Sequence, residues 1–325
     1  MSSFKVEVVR IGDVRKHENA DTLSITQVFN FPVIFRTGEY AGGDLAAYVP
    51  VDAVVPETPE WEFLGGHRRI RAKRLRGVFS MGLLTPAPSG AGEGDDVTEV
   101  LGITKYEPPI PQEMGGECEA DPGFIPRYTD IENFLRYSDK IAPGSEVVIT
   151  EKIHGANARF VHDGTRLWVG SHGQIKAPSE TNMWWRAARA AGLEEKLATV
   201  PGLVFYGEAY GDVQDLKYGA GRGQVFVRFF DVLNSKDRTY LDWEEAQALL
   251  AELELPGVPV LYRGALPDMT GLRALTETPS ALAGNMREGI MIRPPVEQWD
   301  DEAGRVIFKL IAEQYLLRKG GSEAK

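Results

Sequence analysis

Short runs of alternating apolar and polar residues characterise the first third of the chain. In Phe4–Arg10, Val6 and Val8 lie on one face, and turns containing glycine separate later β-prone runs. This alternation is typical of half-buried strands. The later runs predicted as strands are Leu23–Val28, Val33–Arg36, Leu45–Val51, Arg69–Leu75 and Val78–Leu84. Several short strands joined by such turns predict a small β-barrel.

Residues 108–126 interrupt this pattern. They are rich in proline, glycine and acidic residues and show little periodicity, which is typical of a connection between domains. We therefore expect a five-stranded OB-type barrel domain over residues 1–107, a linker over residues 108–126 and a second domain over residues 127–325.

The second domain mixes strand and helix patterns, so the predicted fold class is α+β. A helix is predicted over Asn182–Leu197 and another over Asp242–Leu253, where Asp242 can cap the helix and Glu245 completes a capping box. The runs predicted as strands are Val147–Glu151, Ala158–His162, Leu167–Ser171, Val204–Glu208, Val225–Val232 and Ile290–Arg293.

Composition restricts the class of protein. The chain has 325 residues, of which 43% are hydrophobic and 26% charged, as in an ordinary globular protein of two domains. No apolar run approaches the ~20 residues that span a bilayer, and the start, MSSFKVEVVR, lacks a signal-peptide core. The single cysteine, Cys118, excludes an internal disulfide and a cysteine metal cage. We expect a cytoplasmic protein without a membrane segment.

One basic stretch contrasts with the overall charge. The net charge is −11, which is not typical of a nucleic-acid-binding protein. Six cations nevertheless fall within nine residues: Arg68, Arg69, Arg71, Lys73, Arg74 and Arg76. This basic stretch either binds nucleic-acid phosphates or pairs with the acidic remainder of the chain.

The segment TEKIHGANARF, directly after the apolar run Val147–Ile149, contains the first candidate chemistry. One interpretation is a solvated hairpin that turns at Gly155. The other is a nucleophilic Lys152. A free lysine has a pKa of about 10.4, so a nucleophilic lysine must be desolvated or lie near another cation. Asn157 can hold a metal-bound water without adding charge.

Other polar residues occur at strand positions farther along the chain. Glu208 ends Phe-Tyr-Gly-Glu, Phe230 and Asp231 lie in Phe-Phe-Asp-Val, Glu288 precedes a strand, and Lys309 lies in Val-Ile-Phe-Lys. Nucleotidyl transfer requires these parts: an aromatic ring can stack on a base, and carboxylates can bind ribose hydroxyls and Mg2+. A second lysine can neutralise charge on the attacked phosphate.

The order of these motifs resembles that of the covalent nucleotidyltransferases, which include DNA ligases, RNA ligases and mRNA capping enzymes. His154 in the third place of Lys-x-His-Gly, where DNA ligases and capping enzymes typically carry aspartate, resembles the RNA ligase 2-like branch. An OB domain before the ligase core, with the segment Leu75–Leu83, resembles the Deinococcus-type RNA ligases. The resemblance implies a second domain of antiparallel sheets and helices.

The resemblance also implies roles for individual residues. Lys152 would form the phosphoramidate with AMP, and Lys309 would contact the α-phosphate. The implied ATP- or AMP-binding residues are Glu151, Lys152, Ile153, His154, Glu208, Phe230 and Lys309. The implied metal residues are Asn157, Glu288 and Asp231, with Asp231 also supporting the site. The implied cofactors are ATP and Mg2+ or Mn2+.

Two positions depart from the family pattern. His172 replaces an arginine of a usual Ser-Arg motif, and Ile307 stands where a lysine often precedes the position of Lys309. Lys309 would then act alone or with Lys176 or Lys319.

We therefore predict an ATP-dependent RNA ligase that seals nicks between a 3′-OH and a 5′-phosphate through a lysyl-AMP intermediate. The expected substrate is a nicked RNA duplex or RNA/DNA hybrid, and the expected state is a monomer. The alternatives are a DNA ligase, a GTP-using capping enzyme, and a non-catalytic OB-fold nucleic-acid-binding protein with a degenerate ligase core. His154, and an end of the chain near Lys319 that leaves no room for a C-terminal OB domain, disfavour the first two.

Overall fold

The computed structural model describes residues 4–107, 117–212, 214–318 and 321, which group into two compact units. The first unit contains the residues described up to 107, Glu132–Ser138 and the residues described from Glu313 onward. The second contains residues 117–131 and Asp139–Ala312. The predicted second domain, residues 127–325, included Glu132–Ser138 and the residues from Glu313 onward. In the structure these two segments belong to the first unit instead.

The N-terminal part of the first unit consists of short antiparallel strands and one 3₁₀ helix, Pro59–Leu64. The strands are β1 (Glu7–Arg10), β2 (Arg15–Lys16), β3 (Leu23–Val28), β4 (Phe31–Arg36), β5 (Leu45–Val49), β6 (Ala53–Val54), β7 (Lys73–Leu75), β8 (Val78–Ser80), β9 (Leu83–Pro86) and β10 (Thr104–Lys105). They form two three-stranded sheets, ordered β1-β5-β9 and β2-β3-β4, and the pairs β6–β10 and β7–β8.

The predicted alternation agrees with burial in the first unit. Val6 and Val8 are fully buried in one core with Ala47 and Val49. Two predicted strands are shorter than expected. Only Lys73–Leu75 of the run Arg69–Leu75 belongs to a strand, and the run Val78–Leu84 is divided between β8 and β9.

From residue 117 onward the described residues contain longer strands, five α-helices and one 3₁₀ helix, Ser138–Lys140. The strands are β11 (Cys118–Glu119), β12 (Glu132–Asn133), β13 (Glu146–Lys152), β14 (Ala156–His162), β15 (Leu167–Ser171), β16 (Ile175–Lys176), β17 (Leu203–Gly211), β18 (Val225–Asn234), β19 (Thr239–Tyr240), β20 (Val260–Ala265), β21 (Gly289–Arg293), β22 (Trp299–Asp300), β23 (Gly304–Arg305) and β24 (Phe308–Ile311). The helices are α1 (Met183–Ala190), α2 (Leu193–Leu197), α3 (Trp243–Glu252), α4 (Met269–Glu277) and α5 (Glu313–Leu317). Of these elements, β12 and α5 belong to the first unit.

Two antiparallel sheets organise the second unit, as expected for an α+β fold. One has seven strands in the order β11-β16-β15-β14-β17-β18-β19. The other contains β24-β21-β13-β20 in that order. Helices α1 to α3 contribute to a core with β14, β15, β17 and β18. A separate core contains Val148 of β13, Ile153 just after β13 and Tyr210 of β17. Apolar side chains from both sheets therefore pack together in this core.

The residues at the helix ends explain why one predicted helix is confirmed and the other is divided in two. Helix α3 begins after Asp242, whose backbone N–H donates to the Glu245 side chain, as the capping box predicts. The helix predicted over Asn182–Leu197 is instead divided into α1 and α2. Asn182 caps α1, but Gly192 has a φ of 64°, in the left-handed region, which ends the regular helix.

The predicted linker requires a correction. Its first residues, 108–116, lie outside the described residues, but residues 117–126 pack on the second unit. Strand β11 pairs with β16, and the carbonyl of buried Ile125 accepts a hydrogen bond from buried Arg159. A buried guanidinium needs such acceptors, so this segment is part of the domain it precedes.

Within the described residues, none of the helices combines the length and apolar character needed to cross a membrane. The cytoplasmic location stays a prediction.

Candidate active site

Lys152 lies at the end of β13, where its partner across the sheet is Gly289 of β21. Its Nζ donates to Oε1 of Glu288 at 2.7 Å. The Lys152 side chain is 15% exposed and that of Glu288 is 1% exposed. The lysine is therefore largely shielded from solvent, beside a carboxylate that precedes the neighbouring strand.

Gly155 brings a second carboxylate to this lysine. A Cβ atom on Gly155 would lie 2.4 Å from the carbonyl oxygen of Ala209 and 2.6 Å from Cγ of Glu208. Only glycine allows β17 to approach the turn so closely. The neighbouring Ile153 and His154 are 3% and 2% exposed, so the turn is buried. The interpretation as a solvated hairpin is therefore wrong.

Two carboxyl groups lie beside one ammonium in this cluster, and each alters the pKa of the others. Burial opposes the charge of Lys152, but the carboxylates of Glu288 and Glu208 outweigh burial and raise its pKa. Burial and the neighbouring Glu288 raise the pKa of Glu208 to about 8, although Lys152 and the N–H of Gly155 act in the opposite direction. At neutral pH, Lys152 is therefore an ammonium and Glu208 retains a proton.

Two buried acceptor oxygens at the cluster lack hydrogen-bond donors. Asn157 Oδ1 and Glu288 Oε2 have no partner among the residues that the structure describes. Unpaired buried oxygens are costly, and oxygen donors suit Mg2+ and Mn2+. Groups of three or more His, Cys, Asp or Glu side chains that could hold a metal ion are absent from the described parts of the chain. The residues therefore fit a cation that keeps several waters or substrate oxygens, not one enclosed by protein ligands.

His154 connects the lysine motif to a neighbouring loop. Its Nε2 lies 2.9 Å from Asp215 Oδ1, and its Nδ1 lies 3.7 Å from Glu288 Oε2. Its backbone N–H donates to the hydroxyl of Tyr218 at 2.7 Å. The imidazole is therefore held in a fixed orientation beside the candidate metal residue.

Phe230 packs against the apolar core that contains Ile153, the residue after Lys152. It is the extra residue of a bulge, because Tyr206 pairs with Asp231 while the next residue, Gly207, pairs with Phe229. Its ring is half-buried and meets the edge of Tyr128 at a centroid distance of 4.9 Å. A partly exposed ring at this position can stack on a nucleobase.

The comparisons with known proteins agree with this geometry. A family model described as RNA ligase matches residues 145–311, more than half of the chain. The chain belongs to the RNA ligase family. A second model, described as an OB-fold domain, matches residues 5–87, which confirms the predicted OB-type domain.

Solved RNA ligase structures match nearly the whole chain of this RNA ligase. A Naegleria gruberi RNA ligase mutant with ATP and Mn has a TM-score of 0.86 and 25% identity, over 96% of this chain and 98% of that chain. Another mutant of that ligase, with AMP and Mn, has a TM-score of 0.84 and 26% identity, over 96% and 97%. The comparison with curated protein sequences found no match. The predicted RNA ligase and its fold class are confirmed.

Asp231 does not belong with the candidate metal residues of this RNA ligase. Its carboxylate is fully buried and accepts from Arg293, Arg305 and Tyr128. Burial alone would raise the pKa of Asp231, but the two guanidinium groups lower it to about 2. Because both oxygens are already bonded to cations, the predicted metal role is corrected to a structural one. The cluster joins β18 to β21 and fixes the strand that carries Phe230.

The side chain of Glu151 also has a structural role. It points away from solvent and accepts from Ser280 Oγ at 2.5 Å and from the N–H of Ala281 at 2.8 Å, with Arg287 Nε at 3.6 Å. The family resemblance implies adenosine contacts for Glu151 and the nearby backbone. The carboxylate is instead occupied by the segment that leads to Glu288, and only the backbone of Glu151 is left for a nucleotide.

The structure places Lys309 on the face of the sheet that carries Lys152. Lys309 pairs with Met291, and Met291 pairs with Thr150, two residues before Lys152. Its side chain is partly buried. Ile307, at the position where the family pattern often has a lysine, is buried and apolar at 5% exposure.

The other candidate cations differ in accessibility. Lys176 is buried and donates to Gln174 at 3.0 Å. Lys319 lies outside the described residues. His172 is exposed, and partial desolvation and nearby Arg127 lower its pKa although Asp130 raises it, so it does not supply the charge of an arginine at neutral pH.

The basic stretch, Arg68 to Arg76, is divided between structural and exposed cations. Arg69 donates to Asp52 and lies 3.7 Å from the centroid of Tyr106. Arg71 donates to the carbonyl of Arg318. These two stabilise the first unit. The exposed cations are Arg68, Lys73, Arg74 and Arg76, although Arg68 lies near Glu57 and Arg74 pairs with Glu313.

Sequence reasoning missed the partners that organise the site. Tyr218 and Asp215 lie in a glycine-rich loop without periodicity, and Tyr128 and Arg305 are isolated in the sequence. A motif pattern identifies residues that act on a nucleotide, but it contains no signal for distant residues that hold them.

Proposed function

We propose that this ATP-dependent RNA ligase seals nicks between a 3′-OH and a 5′-phosphate through a covalent Lys152–AMP intermediate. The main support is the hydrogen bond of 2.7 Å from Lys152 Nζ to Glu288 Oε1, close to Glu208. Two buried oxygens of this site, Glu288 Oε2 and Asn157 Oδ1, have no hydrogen-bond donor among the described residues. This combination suits a largely buried lysine that a carboxylate holds in place until a nucleotide and a cation bind. RNA ligases from Naegleria gruberi with ATP or AMP and Mn support the same cofactors for this chain.

The first step requires Lys152 to lose a proton, since its ammonium has no lone pair. Glu288 Oε1 is the acceptor within hydrogen-bond distance, and it would pass the proton on to solvent, which leaves an ionised carboxylate that can bind a cation. The free Nζ then forms a bond to the α-phosphorus of ATP while the bond from that phosphorus to the bridging oxygen breaks, and pyrophosphate leaves. Lys309, on the same sheet face, would stabilise the charge on the α-phosphate.

In the second step, an oxygen of the RNA 5′-phosphate attacks the AMP phosphorus, the phosphorus–nitrogen bond breaks and the Lys152 amine leaves. In the third, the 3′-OH gives up its proton to solvent and its oxygen bonds to the 5′-phosphorus, while the bond from that phosphorus to AMP breaks, AMP leaves and the strands are joined. Glu288 and Asn157 would hold a divalent cation, directly or through water, and its charge would neutralise phosphate oxygens. Phe230 would stack on adenine, and Glu208, protonated near neutral pH, would hydrogen-bond a ribose hydroxyl.

The exposed cations of the first unit support binding to a duplex. Arg68, Lys73, Arg74 and Arg76 would contact phosphates without reading sequence, so binding should weaken as salt rises. Because base pairing already aligns the two ends of a nick, a nicked RNA duplex or RNA/DNA hybrid is the proposed substrate, with RNA required on the 3′-OH side. We propose that the enzyme acts as a monomer.

Incubation with α-labelled ATP and Mg2+, followed by a denaturing gel, tests the proposal. We expect label on the protein and poor competition by GTP. Sealing assays on all-RNA, all-DNA and mixed nicked duplexes then test the substrate. A protein that takes no label with any divalent metal would overturn the ligase mechanism in favour of a non-catalytic nucleic-acid-binding protein.

A further inference from the structure

The loop over residues 214–224, called here the clamp loop, makes three polar contacts with the residues that follow Lys152. Gln214 Nε2 donates to the carbonyl of Gly155 at 2.5 Å. Asp215 Oδ1 lies 2.9 Å from His154 Nε2. Tyr218 Oη accepts from the backbone N–H of His154 at 2.7 Å. The turn that directly follows the nucleophile is therefore bound by a segment about 60 residues away in sequence.

Tyr218 is held firmly in an unusual conformation. It is 6% exposed, packs in the apolar core that also contains Val148 and Ile153, and meets the ring of Tyr210 edge-on at a centroid distance of 5.6 Å. Its φ is 49°, in the left-handed region that bulky residues rarely adopt. Strain of this kind persists only where the surrounding structure imposes it, and it concentrates at functional sites. The strained backbone places the hydroxyl against the N–H of His154.

Asp215 contacts the imidazole of His154, whereas Tyr218 contacts its backbone N–H. Its side chain is 57% exposed, whereas that of His154 is 2% exposed. The contact requires a proton on Nε2, so Asp215 fixes the orientation of the imidazole and directs Nδ1 toward Glu288. An exposed carboxylate that orients a buried imidazole contributes little to the core, which suggests a role in the site.

We propose that Asp215 and Tyr218 are positioning residues for adenylyl transfer to Lys152. The inference rests on the proposed function and adds residues to it. Neither side chain touches the reacting atoms in this arrangement. Each acts through His154, two residues from the nucleophile, and keeps Lys152 and Glu288 aligned for in-line attack.

Single-turnover labelling with α-labelled ATP at saturating ATP and Mg2+ tests this proposal. We expect Tyr218→Phe and Asp215→Ala to lower the rate constant for lysyl-AMP formation about tenfold, because small misplacements of reacting groups are costly. The ATP concentration for half-maximal rate should change less than about twofold, since uniform binding is retained. Asp215→Asn, which keeps an acceptor oxygen, should recover most of the rate.

Lys217→Gln is the matched control, because exposed Lys217 lies in the clamp loop and pairs with Asp212 instead of the lysine motif. It should label at the parental rate. If the parent labels and both Tyr218→Phe and Asp215→Ala label at its rate, the positioning role is overturned while the proposed function stands. An unlabelled parent overturns both. If Tyr218→Phe does not fold, the exposed Asp215 variants decide the outcome.

Discussion

Two buried charge clusters lie in the second unit, and they differ in how completely their charges are paired. Around Asp231, two guanidinium groups and one tyrosine hydroxyl satisfy both oxygens of a single carboxylate. Around Lys152, one ammonium faces the two carboxyl groups of Glu208 and Glu288, and oxygens of Glu288 and Asn157 lack donors among the described residues.

The difference separates a structural cluster from a reactive one. A buried charge that has all its partners holds strands together but cannot accept a ligand. A cluster with unpaired oxygens and a protonated carboxyl group is less favourable alone and gains the missing interactions from a nucleotide and a cation. Substitutions should therefore cost stability at the first cluster and activity at the second.

The largest expected effect is at Lys152. Lys152→Ala and Lys152→Arg should abolish formation of the labelled protein–AMP adduct, because neither side chain supplies a nucleophilic amine at neutral pH. A denaturing gel after incubation with α-labelled ATP measures the adduct. The arginine variant keeps a cation beside Glu288 and serves as the control for charge. Label retained by either variant would move the nucleophile to another residue.

Asp231→Ala should destabilise the fold strongly. The variant leaves the buried guanidinium groups of Arg293 and Arg305 without their main counter-charge, and breaking such pairs costs about 3–5 kcal/mol. Urea unfolding measures the loss. Glu244→Ala, which removes an exposed partner of Arg263, is the control and should cost at most about 1 kcal/mol. Equal costs for the two variants would contradict the structural assignment.

Glu208→Gln should lower activity while changing stability little, the opposite of what is expected for Asp231→Ala. The amide keeps the size of a carboxyl group that carries a proton in the folded protein, so the unfolding free energy at pH 5, near the ordinary pKa of the free side chain, should change by less than about 1 kcal/mol. The rate of adduct formation should fall on the order of 10²-fold, because a polar contact to the substrate is altered. Stopped-time labelling and urea unfolding of one preparation compare both quantities. A variant that unfolds readily yet labels normally would place Glu208 with the structural cluster.

The pH dependence of stability should show the smallest effect. The folded-state pKa of Glu208 is raised to about 8 from 4.5, so the folded protein binds more protons between these values and stability falls as pH rises through them. The pKa of Asp231 is lowered to about 2 from 3.8, so its contribution is present above 3.8 and is lost as pH falls toward 2. Glu208 is partly exposed, and screening by solvent reduces how steeply its titration changes the free energy of unfolding with pH.

Urea titrations of the parent and of Glu208→Gln from pH 5 to 8 measure that contribution. The parental unfolding free energy should decline more steeply than that of the variant. Identical slopes would mean that Glu208 titrates normally in the folded protein.

Local patterns in the sequence were sufficient to predict several elements. The strand Leu23–Val28 and the capped helix near Asp242 match because side-chain alternation and capping are local properties. The division at Gly192 and the pairing of residues 117–126 with the second unit were missed, because each depends on a contact or backbone conformation that composition does not reveal.

The amino-acid sequence by itself determined the chemistry available to this RNA ligase: the order of lysine, carboxylates and aromatic ring along the chain indicates nucleotidyl transfer. Only the tertiary structure decided which carboxylates meet Lys152. Glu208 and Glu288 reach it because β17 packs against Gly155 and β21 pairs with β13, whereas Asp231 is turned into a complete set of buried ion pairs. Charge pairing depends on distances of a few ångströms between remote residues, and no local pattern in a sequence encodes those distances.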